Sequence, residues 1–170
     1  IVDAESPVLS ADGQRLAYLR VNRGRGMLFT RSLGEPIAVE QAQTPAWLDV
    51  EQASFLQDGS LIVAGLARGT SGSRLYHVTT GEQPELMRLG EARYPAVSPD
   101  GRWMAYSRMV RGNWNLSLMD LQSGVVRELA NAECNTIEPA WEPDSKTIVY
   151  SSDCGRALWF TAVSRRRVGP

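Results

Sequence analysis

Apolar residues along this chain occur in short runs that return at regular distances. The clearest runs are residues 16–18, 62–64, 104–106 and 148–150, which read Leu-Ala-Tyr, Ile-Val-Ala, Met-Ala-Tyr and Ile-Val-Tyr. Each run is continuous rather than alternating, which indicates a strand covered on both faces. Gly and Pro punctuate the segments between the runs and favour short strands joined by turns. The pattern therefore predicts an all-β chain.

A turn centred on an aspartate precedes each apolar run. Gly follows Asp12, Asp58 and Asp100, and Ser145 follows Asp144. In such turns Asp bonds its own backbone and Gly adopts a positive φ. The four aspartates are spaced 46, 42 and 44 residues apart. A period of about 40 to 45 residues that contains a repeated hairpin is typical of propeller blades.

Each repeat is predicted to hold four strands, A to D, with the aspartate turn joining A to B. A Leu followed by a bulky residue indicates strand C, and a glycine turn followed by a short apolar segment indicates strand D. We expect one β-propeller domain over residues 1–170, with four-stranded blades at about 1–42, 43–89, 90–130 and 131–170. We expect these blades to belong to a larger propeller or to be completed by another copy, because an open terminal blade would expose an apolar sheet face and favour self-association.

The repeats resemble the TolB-type propeller family. The third repeat carries the resemblance from Pro95 through SPDGRWMAYS and RGNWNLSLMD to Gly124, and the fourth through EPAWEPDSKTIVYSSD, where Glu142 replaces Ser and Ser145 replaces Gly. Members of this family serve as periplasmic scaffolds, as propeller gates on serine peptidases and as extracytoplasmic modules of membrane or signalling proteins. The resemblance implies a fold and leaves these functions open.

Charge and hydropathy bear on whether the chain binds nucleic acid or crosses a membrane. The net charge is −1, so no global attraction to nucleic acid or membrane is expected. No apolar stretch approaches the roughly 18 to 20 residues that span a bilayer. We therefore predict neither a nucleic-acid partner nor a transmembrane segment in this piece.

Two cysteines bear on the cellular compartment. Cys134 and Cys154 each stand ten residues from Asp144, so an antiparallel hairpin would bring them opposite one another and allow a disulfide. A disulfide implies an oxidising compartment, and we predict a periplasmic or extracellular location, as an exported domain of a membrane-attached protein. Two unrelated buried thiols are the alternative.

Candidate catalytic and metal-binding residues are scarce. His77 is the single histidine, and without an identified nucleophile it is interpreted as a structural strand residue. Isolated Asp-Gly pairs do not supply the several oxygen ligands of a calcium site, and there is no Cys-x-x-Cys or phosphate-binding glycine loop. We predict no catalytic residue, no metal and no cofactor.

Arginines cluster in the loops predicted between strands B and C. They are Arg20, Arg23, Arg25, Arg68, Arg74, Arg108, Arg111 and Arg156. All B–C loops of a propeller emerge on one face, so these side chains are candidates for binding an anionic protein, peptide or glycan. Two observations oppose this hypothesis: arginines also brace neighbouring blades, and the D–A loops on the same face supply acids such as Asp49, Glu51 and Glu91. Trp47, in the longest D–A connection, is predicted to anchor that loop, with exposure for contact as the alternative.

The favoured function is a non-enzymatic, extracytoplasmic propeller module, the scaffold or sensor part of a larger bacterial protein that binds a protein or glycan. The alternative is the propeller domain of a hydrolase, either a peptidase gate or a glycan-cleaving enzyme. Glycan cleavage would require two carboxylates about 5 to 9.5 Å apart.

Overall fold

The computed structural model describes residues 4–35, 39–129, 133–153 and 159–164. The chain forms two compact units, Ile1–Pro95 and Ala96–Pro170. The described ranges contain fifteen β-strands and no helix, which confirms the all-β prediction. No helix that is long and apolar enough for a membrane span is found in them.

The first unit contains two four-stranded antiparallel sheets in which consecutive strands pair. Their orders are β1-β2-β3-β4 and β5-β6-β7-β8. The strands are β1 Ala4–Leu9, β2 Arg15–Asn22, β3 Arg25–Ser32, β4 Gln41–Ala42, β5 Leu48–Phe55, β6 Leu61–Ala67, β7 Arg74–Val78 and β8 Glu85–Leu86. We refer to these sheets as blades one and two.

The remaining two sheets have the same connectivity. Blade three has the order β12-β11-β10-β9, and blade four shows three described strands in the order β13-β14-β15. The strands are β9 Ala92–Val97, β10 Trp103–Val110, β11 Asn113–Asp120, β12 Val126–Glu128, β13 Thr136–Trp141, β14 Thr147–Ser152 and β15 Trp159–Ser164. Assignment of residues 1–170 to a single domain stays a prediction.

The predicted apolar runs at 62–64 and 104–106 are fully buried, whereas Leu16 in the first run and Val149 and Tyr150 in the fourth are half-buried. Ala17, Tyr18 and Leu19 are respectively 0%, 1% and 4% exposed, although neighbouring strand residues point to opposite sheet faces. Ala17 and Leu19 pack in a cluster with Leu48 and Val63 of blade two. The main core of the first unit therefore lies between its two sheets. In the second unit the corresponding cluster spans blades three and four, with Trp103, Ala105, Leu116, Leu118 and Ile148 as members.

The A–B turns have the predicted aspartate chemistry. The Asp12 carboxylate accepts a hydrogen bond from the Gln14 amide at 3.0 Å, and the Asp100 carboxylate accepts one from the Arg102 amide at 3.1 Å. Gly13, Gly59 and Gly101 have φ values of 69°, 86° and 68°. In blade four Ser145 takes the place of Gly at φ 55°, and its hydroxyl accepts a hydrogen bond from the Asp100 amide of blade three at 3.0 Å.

Three of these turns are preceded by a proline that follows a residue with positive φ, and in blades one and four this position is a bulge. Ser6, Tyr94 and Glu138 have φ values of 49°, 55° and 55°, and each is followed by Pro. The pairing register shifts at this point in blades one and four. A proline is tolerated there because a bulge already interrupts the hydrogen-bond ladder.

Two predicted functional positions fall outside the described residues. Cys154 is one of them, so the disulfide with Cys134, which lies just before β13, stays a prediction. Arg156 is the other.

Candidate functional site

The B–C hairpin of blade one ends in a tight two-residue turn. Strands β2 and β3 pair as far as Asn22 and Arg25, which leaves Arg23 and Gly24 as the turn. Both turn residues have positive φ, 52° and 75°. A two-residue hairpin turn with two positive φ values strongly prefers Asn-Gly, because Asn tolerates the left-handed region better than long side chains do. An arginine therefore occupies a position at which Asn would be less strained.

Blade three also has an arginine at the turn position that prefers asparagine. Strands β10 and β11 pair as far as Val110 and Asn113, and the turn residues Arg111 and Gly112 have φ values of 52° and 91°. The B–C connection of blade two is longer; in it Arg68 is exposed and its amide donates to the Trp47 carbonyl at 2.9 Å. Two blades in two different units thus place arginine at a left-handed turn position.

Close backbone contact holds the blade-one hairpin against blade two. The Gly26 amide donates to the Asp49 carboxylate at 2.7 Å. A Cβ atom on Gly26 would lie only 2.1 Å from the Val50 carbonyl oxygen, so no other residue fits without moving the backbone. This contact fixes the hairpin relative to β5.

A surface cavity of about 280 Å³ lies beside this contact. Its lining combines two charged side chains with an apolar floor. The lining residues are Asn22, Arg23, Arg25, Gly26, Met27, Ala46 and Leu48. Within the ranges that the structure describes, neither Arg23 nor Arg25 has a carboxylate at ion-pair distance, and both are exposed. The cavity therefore has two positive charges without an ion pair at an apolar surface, and the Asp49 carboxylate lies nearby on the Gly26 amide.

Arg20, from the same hairpin, is engaged within its own blade. Its guanidinium lies 2.7 Å from the Glu40 carboxylate and 5.2 Å from the centre of the Phe29 ring. Burial, with Glu40 as a neighbour, raises the pKa of the Tyr18 hydroxyl to about 12. Arg20 is thus paired within its own blade, which favours neither anion binding nor the bracing of neighbouring blades.

The other predicted binding arginines divide by exposure. Arg68 and Arg111 are exposed, whereas Arg74 in β7 and Arg108 in β10 are half-buried. The structure brings Arg23 and Arg25 together around one cavity. The arginine set as a whole stays a prediction.

Two of the D–A loop acids that were expected to offset the charge of these arginines have other partners. Asp49 accepts the Gly26 hydrogen bond, and the Glu51 carboxylate lies 3.4 Å from the Arg93 guanidinium. Asp49 fixes the blade-one hairpin, and Glu51 pairs with Arg93 of β9. Sequence reasoning missed both roles because it treated the D–A loop acids as a single charged group.

Trp47 holds the loop that forms one side of the cavity. It is half-buried, packs against the core cluster and meets the Tyr76 ring edge-on at 6.1 Å between centroids. This packing favours the predicted anchoring role. Its neighbours Ala46 and Leu48 line the cavity, so the anchor also determines the shape of the candidate site.

A serine, a histidine and an aspartate meet at the A–B turn of blade two. The Ser60 hydroxyl donates to the Asp58 carboxylate at 2.6 Å, and the His77 ring nitrogen Nε2 lies 2.8 Å from the same hydroxyl. Hydrogen bonds from the Ser60 hydroxyl and amide are the main causes that lower the pKa of Asp58. Because an ionised carboxylate only accepts, the Ser60 proton points to Asp58 and His77 donates to Ser60.

That polarity is opposite to the polarity of a serine nucleophile, which gives its proton to histidine. The arrangement is a turn network, and the corresponding turns of blades one and three contain the related pairs Ser10–Asp12 and Ser98–Asp100, each at 2.5 Å. His77 lies in β7 and belongs to this turn network, which favours the structural role; that role stays a prediction. The serine partner escaped sequence reasoning because it lies 17 residues from His77.

No cluster of three or more His, Cys, Asp or Glu side chains suited to a metal ion occurs in the part of the chain that the structure describes.

Sequence comparison finds two informative relatives. The chain is 28% identical over 151 residues to an uncharacterized protein of Agrobacterium fabrum, covering 87% of this chain and 50% of that protein. It is also 28% identical over 137 residues to dipeptidyl-peptidase 5 of Porphyromonas gingivalis, covering 69% of this chain and 19% of the peptidase. The chain thus spans half or less of the length of these relatives. No family model matches it.

Structural comparison decides the architecture. The crystal structure of TolB from Acinetobacter baumannii matches with a TM-score of 0.75 at 17% sequence identity, over 94% of this chain and 40% of that chain. The chain has the fold of a TolB-like β-propeller. This confirms the predicted fold and the resemblance on which it was partly based. A TolB-like propeller occurs in proteins with and without catalytic activity, so the fold alone does not select the function.

Proposed function

We propose that this TolB-like propeller is a non-enzymatic binding module that works outside the cytoplasm as part of a larger bacterial protein. It binds a protein or an anionic glycan through the arginines of its B–C hairpins. The observation that carries the proposal is the presence of arginine at the left-handed position of two equivalent turns.

The energetics of those turns support a binding role. A non-glycine residue in the left-handed region costs about 1 kcal/mol or more, and such strain is concentrated at functional sites. At Arg23 and Arg111 the chain carries this cost where Asn would reduce it. Both side chains are exposed, so core packing does not account for the choice.

The polarity of the Ser60 network supports a module without catalysis. The only serine and histidine that meet among the described residues form a turn network, in which the Ser60 hydroxyl keeps its proton and donates a hydrogen bond to the ionised Asp58 carboxylate.

The extracytoplasmic location rests on the predicted disulfide between Cys134 and Cys154. A free-thiol titration of the denatured, unreduced protein tests it. We expect no reactive thiol, and two reactive thiols would contradict the location.

Binding of defined polyanions tests the proposal. The chain is immobilised and exposed to poly-glutamate, as a protein-like anion, and to polygalacturonate, as an acidic glycan. We expect saturable binding that weakens as salt rises, because exposed charges are screened. The double variant R23N/R111N should bind at least about tenfold more weakly, since each lost charged hydrogen bond is worth 1.5 kcal/mol or more.

The matched control is R127N. Arg127 is an exposed arginine on the outer strand β12. Because R127N removes one charge, it is compared with R23N and with R111N separately: an equal loss of binding in all three single variants would mean that net charge, rather than the hairpins, causes the binding. Absence of binding to both polyanions would overturn the proposal.

A second function is favoured by one comparison. Because dipeptidyl-peptidase 5 of Porphyromonas gingivalis is among the relatives, we also propose, as the alternative, that the chain is the propeller domain of a peptidase. The coding sequence on either side of this segment tests it. A neighbouring α/β-hydrolase region would support the peptidase alternative, and a membrane anchor or scaffold domain without one would support the binding module.

A further inference from the structure

The cavity beside the blade-one hairpin combines features that suit one kind of ligand. Arg23 and Arg25 stand at its rim, while Met27, Ala46 and Leu48 form an apolar surface below them. Arginine binds carboxylates through paired hydrogen bonds, and apolar surface is buried most favourably by an apolar neighbour of the charged group. The ligand chemistry is thus a carboxylate carried beside an aliphatic group.

The size of the cavity limits how much of a partner enters it. Its volume of about 280 Å³ is just below the range of roughly 300 to 1,000 Å³ in which most small-molecule pockets fall. One or two amino-acid side chains fit, whereas an extended oligosaccharide does not. None of the seven lining residues is aromatic, so no ring is available for stacking on a sugar.

The site is also rigid on its protein side. The Gly26 amide is bound to Asp49, and the Gly26 position allows no Cβ because of Val50. Trp47 packs on Tyr76 and holds the opposite wall. A preformed wall reduces the entropy lost on binding.

We infer that this cavity is a docking site for a short segment of a partner protein in which an aliphatic residue and an acidic one are adjacent. The inference deepens the proposed function and rests on it, because it names the partner class and assigns it to one hairpin. Arg23 and Arg25 bind the acidic side chain, and Met27 and Ala46 contact the aliphatic one.

Blocked tetrapeptides test the ligand chemistry. The probe is acetyl-Gly-Leu-Glu-Gly-amide, and two matched peptides replace Glu by Gln or Leu by Ser. Binding to the intact chain is measured by amide chemical shifts during titration. We expect the Gln peptide to bind at least about tenfold more weakly, because it loses the charge-assisted bonds, and the Ser peptide about threefold more weakly.

Three variants test the location. A46W fills the cavity from an exposed position and should abolish peptide binding, while A11W, an equally exposed change in an A–B turn, should not. R25Q should weaken binding about tenfold. D49N should strengthen it about two- to threefold, because Asn still accepts the Gly26 hydrogen bond while a nearby negative charge is removed.

The outcomes separate this inference from the broader proposal. If polyanion binding is lost in R23N/R111N but is unchanged in A46W, the module binds anions elsewhere and the cavity assignment is wrong. If polyanions do not bind at all, the proposed function fails first. Tighter binding of a galacturonate oligomer than of the Leu-Glu peptide, abolished by A46W, would overturn the assignment to a peptide.

Discussion

The two kinds of hairpin turn in each blade differ in how their charges are satisfied. In the A–B turns a carboxylate is surrounded by donors from the same turn, as for Asp12 with Ser10 and Gln14. In the B–C turns of blades one and three an exposed arginine occupies a left-handed position and forms no ion pair within the described ranges. The charges of the A–B turns are satisfied within the turn, whereas the arginines of these B–C turns remain available to a partner.

This difference separates folding from binding. The A–B turns use Asp and Gly for the reasons that turns in general use them, and their charges stabilise the turn itself. The B–C arginines depart from the residues that the turn geometry prefers, which is expected where local stability is exchanged for a function.

The largest effect is expected from the contact at the base of the blade-one hairpin. Gly26→Ala places a Cβ 2.1 Å from the Val50 carbonyl oxygen and must displace β3 from β5. We expect a loss of about 3 kcal/mol or more in the free energy of unfolding, measured by urea titration with circular dichroism. The control Gly34→Ala meets only the end of the Gln14 side chain at 3.4 Å. Equal stability of the two variants would contradict the close approach.

The next effect concerns the blade-two A–B turn. Ser60→Ala removes a hydroxyl, 8% exposed as a residue, that joins His77 to Asp58, and it leaves the His77 donor without this acceptor. We expect a loss of about 1 to 3 kcal/mol in the same urea titration. Ser123→Ala, an exposed serine in the turn after β11, provides the comparison and should cost less. A Ser60→Ala protein as stable as the parent would show that the network does not stabilise the turn.

A gain in stability is expected at the B–C turns. Arg23→Asn keeps the turn and relieves the left-handed strain, so the unfolding free energy should rise by about 0.5 to 1 kcal/mol. Arg111→Asn should do the same in the second unit, whereas Arg127→Asn on a strand should not. Destabilisation by both turn variants would mean that these arginines support folding, which would remove the contrast between the two kinds of turn.

The smallest effect is a pH dependence at the A–B turns. The folded pKa of Asp58 lies below its ordinary value of 3.8, so its charge contributes stability above pH 3.8 that is lost as the pH falls through the folded pKa. Asp58→Asn retains a turn acceptor and lacks this titration. We expect the parent to exceed the variant in Tm by about 1 to 3 °C at pH 6 and the gap to shrink towards pH 3. A gap that stays constant with pH would contradict the assignment.

Much of the fold was predictable because each repeat has the same local sequence features. Continuous apolar runs identified strand B in each blade, and the Asp turns identified the hairpins. The prolines marked a feature whose meaning sequence did not reveal, since only the backbone shows that Ser6 and Glu138 adopt positive φ at a bulge. A pattern of residue types does not specify a left-handed φ before proline, where it is disfavoured.

The candidate site was predicted less completely. Sequence identified Arg23 and Arg25 as candidates, and it grouped them with Arg20, which the structure pairs with Glu40. The apolar floor was missed, because Leu48 lies more than 20 residues from the hairpin and its proximity depends on how two sheets pack. Gly26 carried the one available signal, a glycine inside a strand, which often marks a close backbone approach.

The serine that stands in place of glycine in the blade-four turn makes the third and fourth repeats unequal. Ser145 departs from the shared pattern and accepts a hydrogen bond from the Asp100 amide of the preceding repeat. Repeats joined by such a specific hydrogen bond are not interchangeable. Ser145→Gly would restore the shared motif in blade four and remove this hydrogen bond. The position at which the fourth repeat departs from the motif is therefore also the position that specifies the third repeat as its neighbour.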